Sequence, residues 1–125
     1  MRWLIALVML SMSTGVMASI GDVRQQQGEA TIERQSGDKI SSTTGTEIES
    51  LDTVRTGQGR TSIQFVDDTR VDVTENSKLV IDEFIYDPNT STGALALKAS
   101  FGTVRYASGQ IAKNSKQNVK ISTPT

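Results

Sequence analysis

The central part of the chain, residues 60–81, consists of three short runs in which apolar and polar residues alternate, with tight polar breaks between the runs. In each run two apolar residues share one parity: Ile63 and Phe65, Val71 and Val73, and Leu79 and Ile81. Alternation with a period of two is typical of a half-buried strand. The pattern therefore predicts a β-meander with one apolar face and one solvent-exposed face.

The polar positions of the first two runs are the candidate contact surface. Ser62, Gln64, Arg70 and Asp72 take the parity opposite to that of the apolar residues. Successive side chains of a strand point to opposite faces of the sheet. We therefore predict that these four residues form exposed rows that contact a partner, and sheet edges are the other candidate contact surface.

Short strands and turns are predicted along most of the remaining chain. Further apolar or alternating runs predict strands at residues 20–25, 30–34, 78–86, 94–101, 119–121 and, weakly, 48–54. The polar stretch 41–46 favours a loop, and no helix is predicted beyond residue 18. Turn signals recur about every 8 to 12 residues, which is typical of a sandwich, a roll or a short solenoid. The sequence predicts a small all-β domain with an antiparallel or mixed sheet.

Three local features refine this prediction. The parity of residues 78–86 shifts across Asp82-Glu83, which predicts a β-bulge, and Gly102 marks another bulge or corner before the next strand. The break at residues 66–69 is short enough for a two-residue hairpin turn. Asp68 stands where glycine would be more favourable, so we expect some backbone strain there.

The first 18 residues have the pattern of a secretory signal peptide. Arg2 gives a positive start, residues 3–10 are apolar, and Val16-Met17-Ala18 is a small-x-small cleavage signal. An apolar run of about 8 residues is much shorter than the roughly 20 that a membrane anchor needs. We predict cleavage after Ala18, a single domain at residues 19–125, and a periplasmic or secreted location.

Composition restricts the chemistry. The chain has no cysteine and no histidine, and its tryptophan and methionines all lie within residues 1–18. Ser-His-Asp triads, Cys-His pairs and the usual zinc sites are therefore excluded, and no catalytic centre, cofactor or metal is predicted. The core must consist of aliphatic residues and five aromatic ones: Phe65, Phe84, Tyr86, Phe101 and Tyr106.

Carboxylates are the remaining candidates for chemistry. Neighbouring residues of a strand point to opposite faces, so Asp82 and Glu83 do not converge without a bulge, and Asp67-Asp68 is predicted to be a turn. The loop at residues 87–93 contains several hard oxygen ligands, beginning with Asp87 and Asn89. It lacks the spacing of an EF-hand, so ordinary turn chemistry is preferred over calcium binding.

The charge is nearly balanced, with 13 Lys and Arg, 14 Asp and Glu and a formal net charge of −1. Most of the charged residues within 66–87 are acidic, whereas residues 98–120 contain basic residues and no acidic ones. The two blocks either pair across the fold, mark faces for different partners, or form a plain solvated surface. Nucleic acid is not an expected partner, because the basic residues Lys113, Lys116 and Lys120 have only Tyr106 nearby for base stacking.

Several motifs, in their order along the chain, carry a family resemblance. They are Gly21-Asp22-Val23, Asp52-Thr53-Val54-Arg55-Thr56-Gly57, the two strands and turn at residues 63–73, Gly102-Thr103-Val104 and Thr123-Pro124. Together they resemble the FecR domain, a family named for the ferric-citrate regulator. The resemblance covers nearly all of residues 19–125.

The resemblance implies an all-β extracytoplasmic module. In the founding systems this module responds to a loaded outer-membrane siderophore receptor and signals through a membrane helix to a sigma factor. The present chain departs from that pattern, because no anti-sigma segment or further membrane helix is apparent. It also ends at Thr125, where relatives usually continue, so a truncated domain or an open sheet edge is expected.

Three functions are consistent with these observations. The first is a non-catalytic, FecR-like sensing or regulatory module that binds an envelope protein or glycan. The second is a structural subunit of the cell envelope or surface that self-associates through an open sheet edge. The third is a glycan-directed carboxylate enzyme that uses Asp82 or Glu83.

Overall fold

The computed structural model describes residues 19–123. The predicted signal peptide at residues 1–18, its cleavage site and Pro124 of the closing motif lie outside the described residues. Between residues 19 and 123, no helix has both the length and the apolar character needed to cross a membrane.

The described residues form two sheets. The five-stranded sheet contains β1 (Gly21–Gln27), β4 (Glu47–Ile48), β6 (Arg60–Phe65), β7 (Arg70–Val73) and β10 (Val104–Ala107), in the order β10-β7-β6-β1-β4. The six-stranded sheet contains β2 (Ala30–Glu33), β3 (Lys39–Ser41), β5 (Thr53–Thr56), β8 (Lys78–Asp87), β9 (Thr92–Phe101) and β11 (Val119–Ser122), in the order β11-β9-β8-β5-β2-β3. Strand β11 pairs with β9 in parallel, whereas the other strand pairs are antiparallel. The prediction of a small all-β domain with mixed pairing is confirmed.

The two sheets share one hydrophobic core, to which strands of both sheets contribute. Phe65 of β6 stacks on Phe84 of β8 with ring centroids 5.0 Å apart, so this aromatic pair joins the sheets. Tyr86 and Tyr106 are half-buried against the core. The prediction that Phe101 belongs to the core is wrong, because this residue ends β9 and is 42% exposed beneath the guanidinium of Arg55.

The predicted meander is wrong at its third strand. β6 and β7 form an antiparallel hairpin, but β8 crosses to the six-stranded sheet and pairs there with β5 and β9. The turn before β8 is fixed to the end of β5, because Thr56 Oγ1 donates to the Thr74 carbonyl at 2.5 Å and accepts from the Ser77 N–H at 2.9 Å. Alternation is the same in either sheet, so it did not indicate this crossover.

The loop between β6 and β7 differs in length from the prediction. The N–H of Phe65 donates to the Thr69 carbonyl at 2.8 Å, and the N–H of Asp68 donates to the Phe65 carbonyl at 3.0 Å. The loop therefore has three residues, 66–68, instead of two. Asp68 has a φ of 73°, which confirms the predicted strain at the position where glycine is preferred.

Both predicted irregularities of the long strands are present. The register of β8 against β9 shifts between Ile81 and Glu83, which confirms the bulge at Asp82. Gly102 has a φ of 81° and forms the corner between β9 and β10. A Cβ atom at Gly102 would lie 2.6 Å from the Asn76 carbonyl oxygen, so glycine is needed there for both conformation and space.

Three sequence-based predictions about regular structure need correction. The weak strand at 48–54 is in fact two strands, β4 and β5, separated by a turn at residues 49–52. The loop predicted from residue 41 starts one residue later, because Ser41 is the last residue of β3. The chain also has a helix, α1 (Gln110–Asn114), followed by a 3₁₀ turn, Lys116–Asn118.

Helix α1 is held by a residue that is remote in sequence. The Gln110 N–H donates to the Asp67 carbonyl at 2.7 Å, and the Ile111 N–H donates to Asp67 Oδ2 at 3.1 Å. Ile111 is fully buried in the core. The helix has no side-chain cap of its own at Gly109, so the local sequence carries no start signal for it.

Candidate functional site

The four residues predicted to contact a partner form one continuous patch. In the register of β6 against β7, Ser62 lies opposite Asp72 and Gln64 lies opposite Arg70. Their apolar neighbours in the same strands are buried, whereas these four side chains lie on the solvent face. The structure thus places them on the shared face that was predicted, and their role in binding stays a prediction.

The patch forms part of a groove across the five-stranded sheet. A cavity of about 560 Å³ contains all four residues together with Arg24 and Arg105. A smaller cavity of about 150 Å³ shares Ser62, Asp72 and Arg105 with it and continues to Arg60. We call the combined surface the arginine groove, and its charged and polar lining consists of Arg24, Gln25, Gln27, Arg60, Ser62, Gln64, Arg70, Asp72, Thr74 and Arg105.

A β-bulge in β1 gives this strand two neighbouring residues at the groove. The register against β6 shifts between Val23 and Gln25, so both Arg24 and Gln25 line the groove. The next side chain, Gln26, accepts hydrogen bonds from the hydroxyls of Ser42 at 2.6 Å and Thr61 at 2.7 Å. The bulge therefore converts simple alternation into a local concentration of polar side chains.

Each of the four neighbouring strands β1, β6, β7 and β10 contributes one arginine to the groove. Arg24 forms an ion pair with Asp22 at 2.9 Å, and Arg60 forms one with Glu75 at 3.0 Å. For Arg70 and Arg105, by contrast, no carboxylate oxygen of residues 19–123 lies within 4.0 Å of the guanidinium. Two guanidinium groups of the groove are therefore available to bind anions.

Among the residues that line the groove, positive charges outnumber negative ones. Asp72 is the single carboxylate among the described residues that line it, against four arginines. At the rim, the hydrogen bond from its own backbone N–H and then the Arg60 guanidinium lower the pKa of Glu75. Glu75 therefore remains ionised and holds Arg60 at the edge of the groove.

Sequence reasoning missed the arginines of the outer strands. Alternation already indicated that Arg105, between Val104 and Tyr106, points away from the core. The pairing of β10 with β7 places Arg105 opposite Asp72. These two segments are about 30 residues apart in sequence, and a local pattern does not predict which distant strands pair. Arg24 was missed for the same reason, because β1 pairs with β6 and not with the next strand in sequence.

A second charged cluster lies at the end of β2 and contains one arginine, Arg34, that is paired with carboxylates. Arg34 Nη1 lies 2.5 Å from Asp52 Oδ2 and 3.5 Å from Glu49 Oε2, and Nη2 donates to the Glu47 carbonyl at 3.0 Å. We call this cluster the Arg34 corner. Every polar group that contacts this guanidinium belongs to the turn between β4 and β5 or to β4 itself.

Asp52 is the buried anion of the Arg34 corner. Its side chain is 1% exposed, Oδ2 accepts from the Glu49 N–H at 2.8 Å, and Oδ1 has no hydrogen-bond partner among residues 19–123. Burial raises the pKa of Asp52 above its ordinary value of 3.8, while the Glu49 N–H and Arg34 act in the opposite direction. The cluster is thus a partly buried ion pair within the fold.

Asp67 is fully buried and has a structural role. Its carboxylate accepts hydrogen bonds from the Thr69 N–H at 3.0 Å, the Thr69 hydroxyl at 2.8 Å and the Ile111 N–H at 3.1 Å. Asp68 is exposed beside it. The prediction that Asp67-Asp68 is a turn is confirmed, and the same carboxylate anchors α1 to that turn.

The other carboxylates are dispersed. Asp82 and Glu83 are both exposed at the bulge of β8, and Asp87 Oδ1 accepts from the Asn89 N–H at 2.9 Å, as in an ordinary Asx turn. Among residues 19–123, no three acidic side chains lie close enough together to hold a metal ion. Ion pairs between the acidic block 66–87 and the basic block 98–120 are likewise absent from this part of the chain.

Two edge strands lie beside an apolar slot. Strand β11 ends the six-stranded sheet, and its Ile121 is 42% exposed. A cavity of about 200 Å³ lies next to it and is also lined by Val104 and Tyr106 of the edge strand β10. The Tyr106 hydroxyl is buried there without a hydrogen-bond partner in the described residues.

Comparisons of the chain with protein-family models, with curated proteins and with solved structures find no match. The resemblance to the FecR domain therefore stays a prediction.

Proposed function

We propose that the chain is a non-catalytic, FecR-like sensing or regulatory module that binds an envelope protein or glycan through the arginine groove. One observation carries this proposal. The four residues that the sequence pattern selects line one groove together with Arg105, and the guanidiniums of Arg70 and Arg105 have no carboxylate partner in the described chain. Arginine is enriched at binding surfaces because its planar group combines charge with directed hydrogen bonds.

The position of the groove supports a role outside the folding core. Its polar side chains lie on the solvent face of β6 and β7, while Ile63, Val71 and Val73 of the same strands are buried. Packing of the core therefore places no demand on the residue type at Arg70 or Arg105. Solvent-exposed arginines that the fold does not use are available for contact with a partner.

The residue chemistry supports a non-catalytic module. The chain has no histidine and no cysteine, and the carboxylate of Asp67 is occupied by three hydrogen bonds within the fold. Asp82 and Glu83 lie exposed on a bulge, away from the cavities that contain the arginines. The hydroxyls of Thr69 and Ser36 contact the carboxylates of Asp67 and Asp38, but each pair lies two residues apart in sequence and neither pair lines the arginine groove.

Export is part of the proposal, and the pattern of residues 1–18 supports it. The mature protein is expected to begin at Ser19 and to lack methionine, because all methionines lie in the removed segment. Intact mass spectrometry of the protein from the periplasmic and secreted fractions measures this start directly. Recovery of exported protein that still carries Met1 would contradict cleavage.

Affinity capture with matched charge variants tests the proposed binding surface. The wild type, the groove variant Arg70→Gln/Arg105→Gln and the control variant Arg55→Gln/Lys98→Gln are used as baits for a crosslinked envelope extract. The control removes the same charge from the six-stranded sheet, where both residues are exposed. We expect the wild type and the control, but not the groove variant, to recover the same partner. Equal recovery by the groove variant, or no specific partner for the wild type, would contradict the proposal.

The second candidate is a structural envelope subunit that self-associates. The edge strand β11 favours this function, since one side of its backbone has no neighbouring strand among the described residues and Ile121 is exposed beside it. Size-exclusion chromatography with light scattering would show assembly that increases with protein concentration. The variant Ile121→Lys should then remain monomeric, while Arg70→Gln should assemble like the wild type.

A further inference from the structure

We infer that the ligand of the arginine groove is an acidic glycan, a sugar chain that bears carboxylate groups. This inference rests on the proposed function and specifies the chemical class of the partner. It follows from the spacing of the arginines, from the polar groups between them, and from the position of the groove within the sheet.

The arginines are distributed across the groove and do not converge on one point. Arg24, Arg60, Arg70 and Arg105 come from four neighbouring strands, one from each. In the strand register Arg105 lies opposite Asp72, two residues along β7 from Arg70, so the arginines are staggered along the strands as well as across them. Separated single charges fit a chain that carries carboxylates on several sugars better than they fit one compact multivalent anion.

Two of these arginines have the free donors that a carboxylate requires. Arg24 and Arg60 already contact Asp22 and Glu75, whereas no carboxylate of residues 19–123 lies within 4.0 Å of the Arg70 or Arg105 guanidinium. A guanidinium binds a planar carboxylate with two parallel hydrogen bonds. Arg70 and Arg105 are therefore the residues expected to contact the acidic groups directly.

The lining between the arginines suits sugar hydroxyls. Gln25, Gln27, Gln64 and Ser62 offer amide and hydroxyl groups that both donate and accept hydrogen bonds. Asp72 adds an acceptor for a hydroxyl donor. A surface that combines amides and arginines can hydrogen-bond to the ring substituents and pair with the acidic groups of the same chain.

The groove is a poor site for an extended peptide. β6 and β7 are both interior strands of the five-stranded sheet, so their backbone groups already pair with neighbouring strands and cannot add another. Neutral sugars usually stack on exposed aromatic rings, and the aromatic residue at this groove, Tyr106, is half-buried against the core. Charge and hydrogen bonding, and not stacking, therefore determine the ligand.

Isothermal titration calorimetry with oligogalacturonate as the probe tests the inference. The fully methyl-esterified oligomer is the matched neutral ligand, because it has the same sugar backbone without the carboxylate charge. We expect the wild type to bind the acidic oligomer, with an affinity that decreases as salt is added, and to bind the ester at least about tenfold more weakly. Equal affinity for the two oligomers would overturn the inference.

The arginine variants identify the residues responsible. Arg70→Gln/Arg105→Gln should weaken binding of the acidic oligomer by at least about tenfold, and Arg55→Gln/Lys98→Gln should change it by less than about twofold. Circular dichroism melting of each variant verifies that the fold is retained. An equal loss in both variants would mean nonspecific attraction by net charge and would overturn the inference.

Polyglutamate, used as a second acidic probe, distinguishes a glycan ligand from an acidic peptide. The variant Gln25→Ala/Gln64→Ala removes two amides that we expect to contact sugar hydroxyls, and it leaves every charge in place. We expect it to weaken binding of oligogalacturonate several-fold while its binding of polyglutamate is unchanged. If wild type binds polyglutamate as tightly as oligogalacturonate, the surface selects charge alone and the glycan assignment is wrong.

The inference and the proposed function can fail separately. A partner captured from the envelope through Arg70 and Arg105, combined with no binding of oligogalacturonate, would overturn the glycan and keep the binding surface. Capture and titration that are both insensitive to the groove variant would overturn both. Binding of oligogalacturonate that requires both arginines supports both.

Discussion

The Arg34 corner and the arginine groove place the same residue type in different surroundings. Arg34 is mostly buried and contacts Asp52, Glu49 and the Glu47 carbonyl, so its hydrogen-bonding capacity is used within the fold. Arg70 and Arg105 lie on the solvent face without a carboxylate partner among residues 19–123. The contacts of an arginine, and not its presence in the sequence, therefore distinguish the stabilising role of Arg34 from the binding role that we propose for Arg70 and Arg105.

The difference follows from the local geometry. At the Arg34 corner, the turn between β4 and β5 folds back over the end of β2 and brings a buried carboxylate to the guanidinium. In the groove, the residues opposite Arg70 are a glutamine and an alanine, and the residue opposite Arg105 is the single aspartate of the lining. Substitutions in the first region should therefore change stability, and substitutions in the second should change binding.

The largest expected effect is that of Arg34→Met. This change leaves the Asp52 carboxylate buried without its cation, and breaking a buried ion pair in this way costs about 3–5 kcal/mol. Urea denaturation at neutral pH measures the loss of unfolding free energy. The variant Arg34→Met/Asp52→Asn also removes the buried charge and should recover part of the loss. If Arg34→Met has wild-type stability, the Arg34 corner is not structural.

The destabilisation by Arg34→Met should also depend on pH. Burial raises the pKa of Asp52 above 3.8, and removing Arg34 removes an interaction that lowers it, so the pKa rises further in the variant. A carboxyl whose folded pKa is raised favours folding in its protonated form, and this contribution is lost as pH increases through the folded pKa. The stability difference from wild type should therefore decrease as pH is lowered towards 3.8, and a larger difference in acid would contradict this account.

A smaller loss of stability is expected for Asp67→Ala, which tests the anchor between the β6–β7 loop and α1. Asp67 joins the loop between β6 and β7 to α1 by accepting from Thr69 and Ile111. Removing it leaves buried donors unpaired, at a cost of about 1–3 kcal/mol. The neighbouring exposed variant Asp68→Asn is the matched control for charge, because asparagine also tolerates the positive φ at this position. Hydrogen exchange should show faster exchange at the Ile111 amide in Asp67→Ala, and unchanged exchange there would contradict the proposed anchor.

The smallest effect on stability is expected for Arg70→Gln/Arg105→Gln. Both side chains are exposed and neither forms an ion pair with the described residues, so the change in unfolding free energy should be within about 0.5 kcal/mol. The same denaturation experiment measures it. A loss comparable to that of Arg34→Met would mean that the groove arginines belong to the scaffold, and the comparison between the two regions would fail.

Alternation predicted the exposure of the candidate residues well. It identified both strands of the hairpin, the common face of Ser62, Gln64, Arg70 and Asp72, and the bulge at Asp82. These features depend on the two-residue period and on local turn chemistry, both of which are determined by a few consecutive residues.

Strand partners and buried polar contacts could not be predicted in the same way. The crossing of β8 into the other sheet depends on hydrogen bonds of Thr56 to the turn before it, and α1 depends on Asp67, which lies 44 residues before Ile111. Each is a long-range contact with no periodic signature in the sequence. The groove itself required both the bulge in β1 and the pairing of β10 with β7, so its outer arginines became apparent only in the folded chain.

Amide chemical-shift mapping during titration with oligogalacturonate tests the central claim most directly, because it locates the binding surface without any substitution. We predict shifts concentrated in β1, β6, β7 and β10, with the largest around Ser62, Gln64, Arg70, Asp72 and Arg105. Shifts confined to the six-stranded sheet or to the edge strand β11, with the amides of β6 and β7 unaffected, would contradict the account.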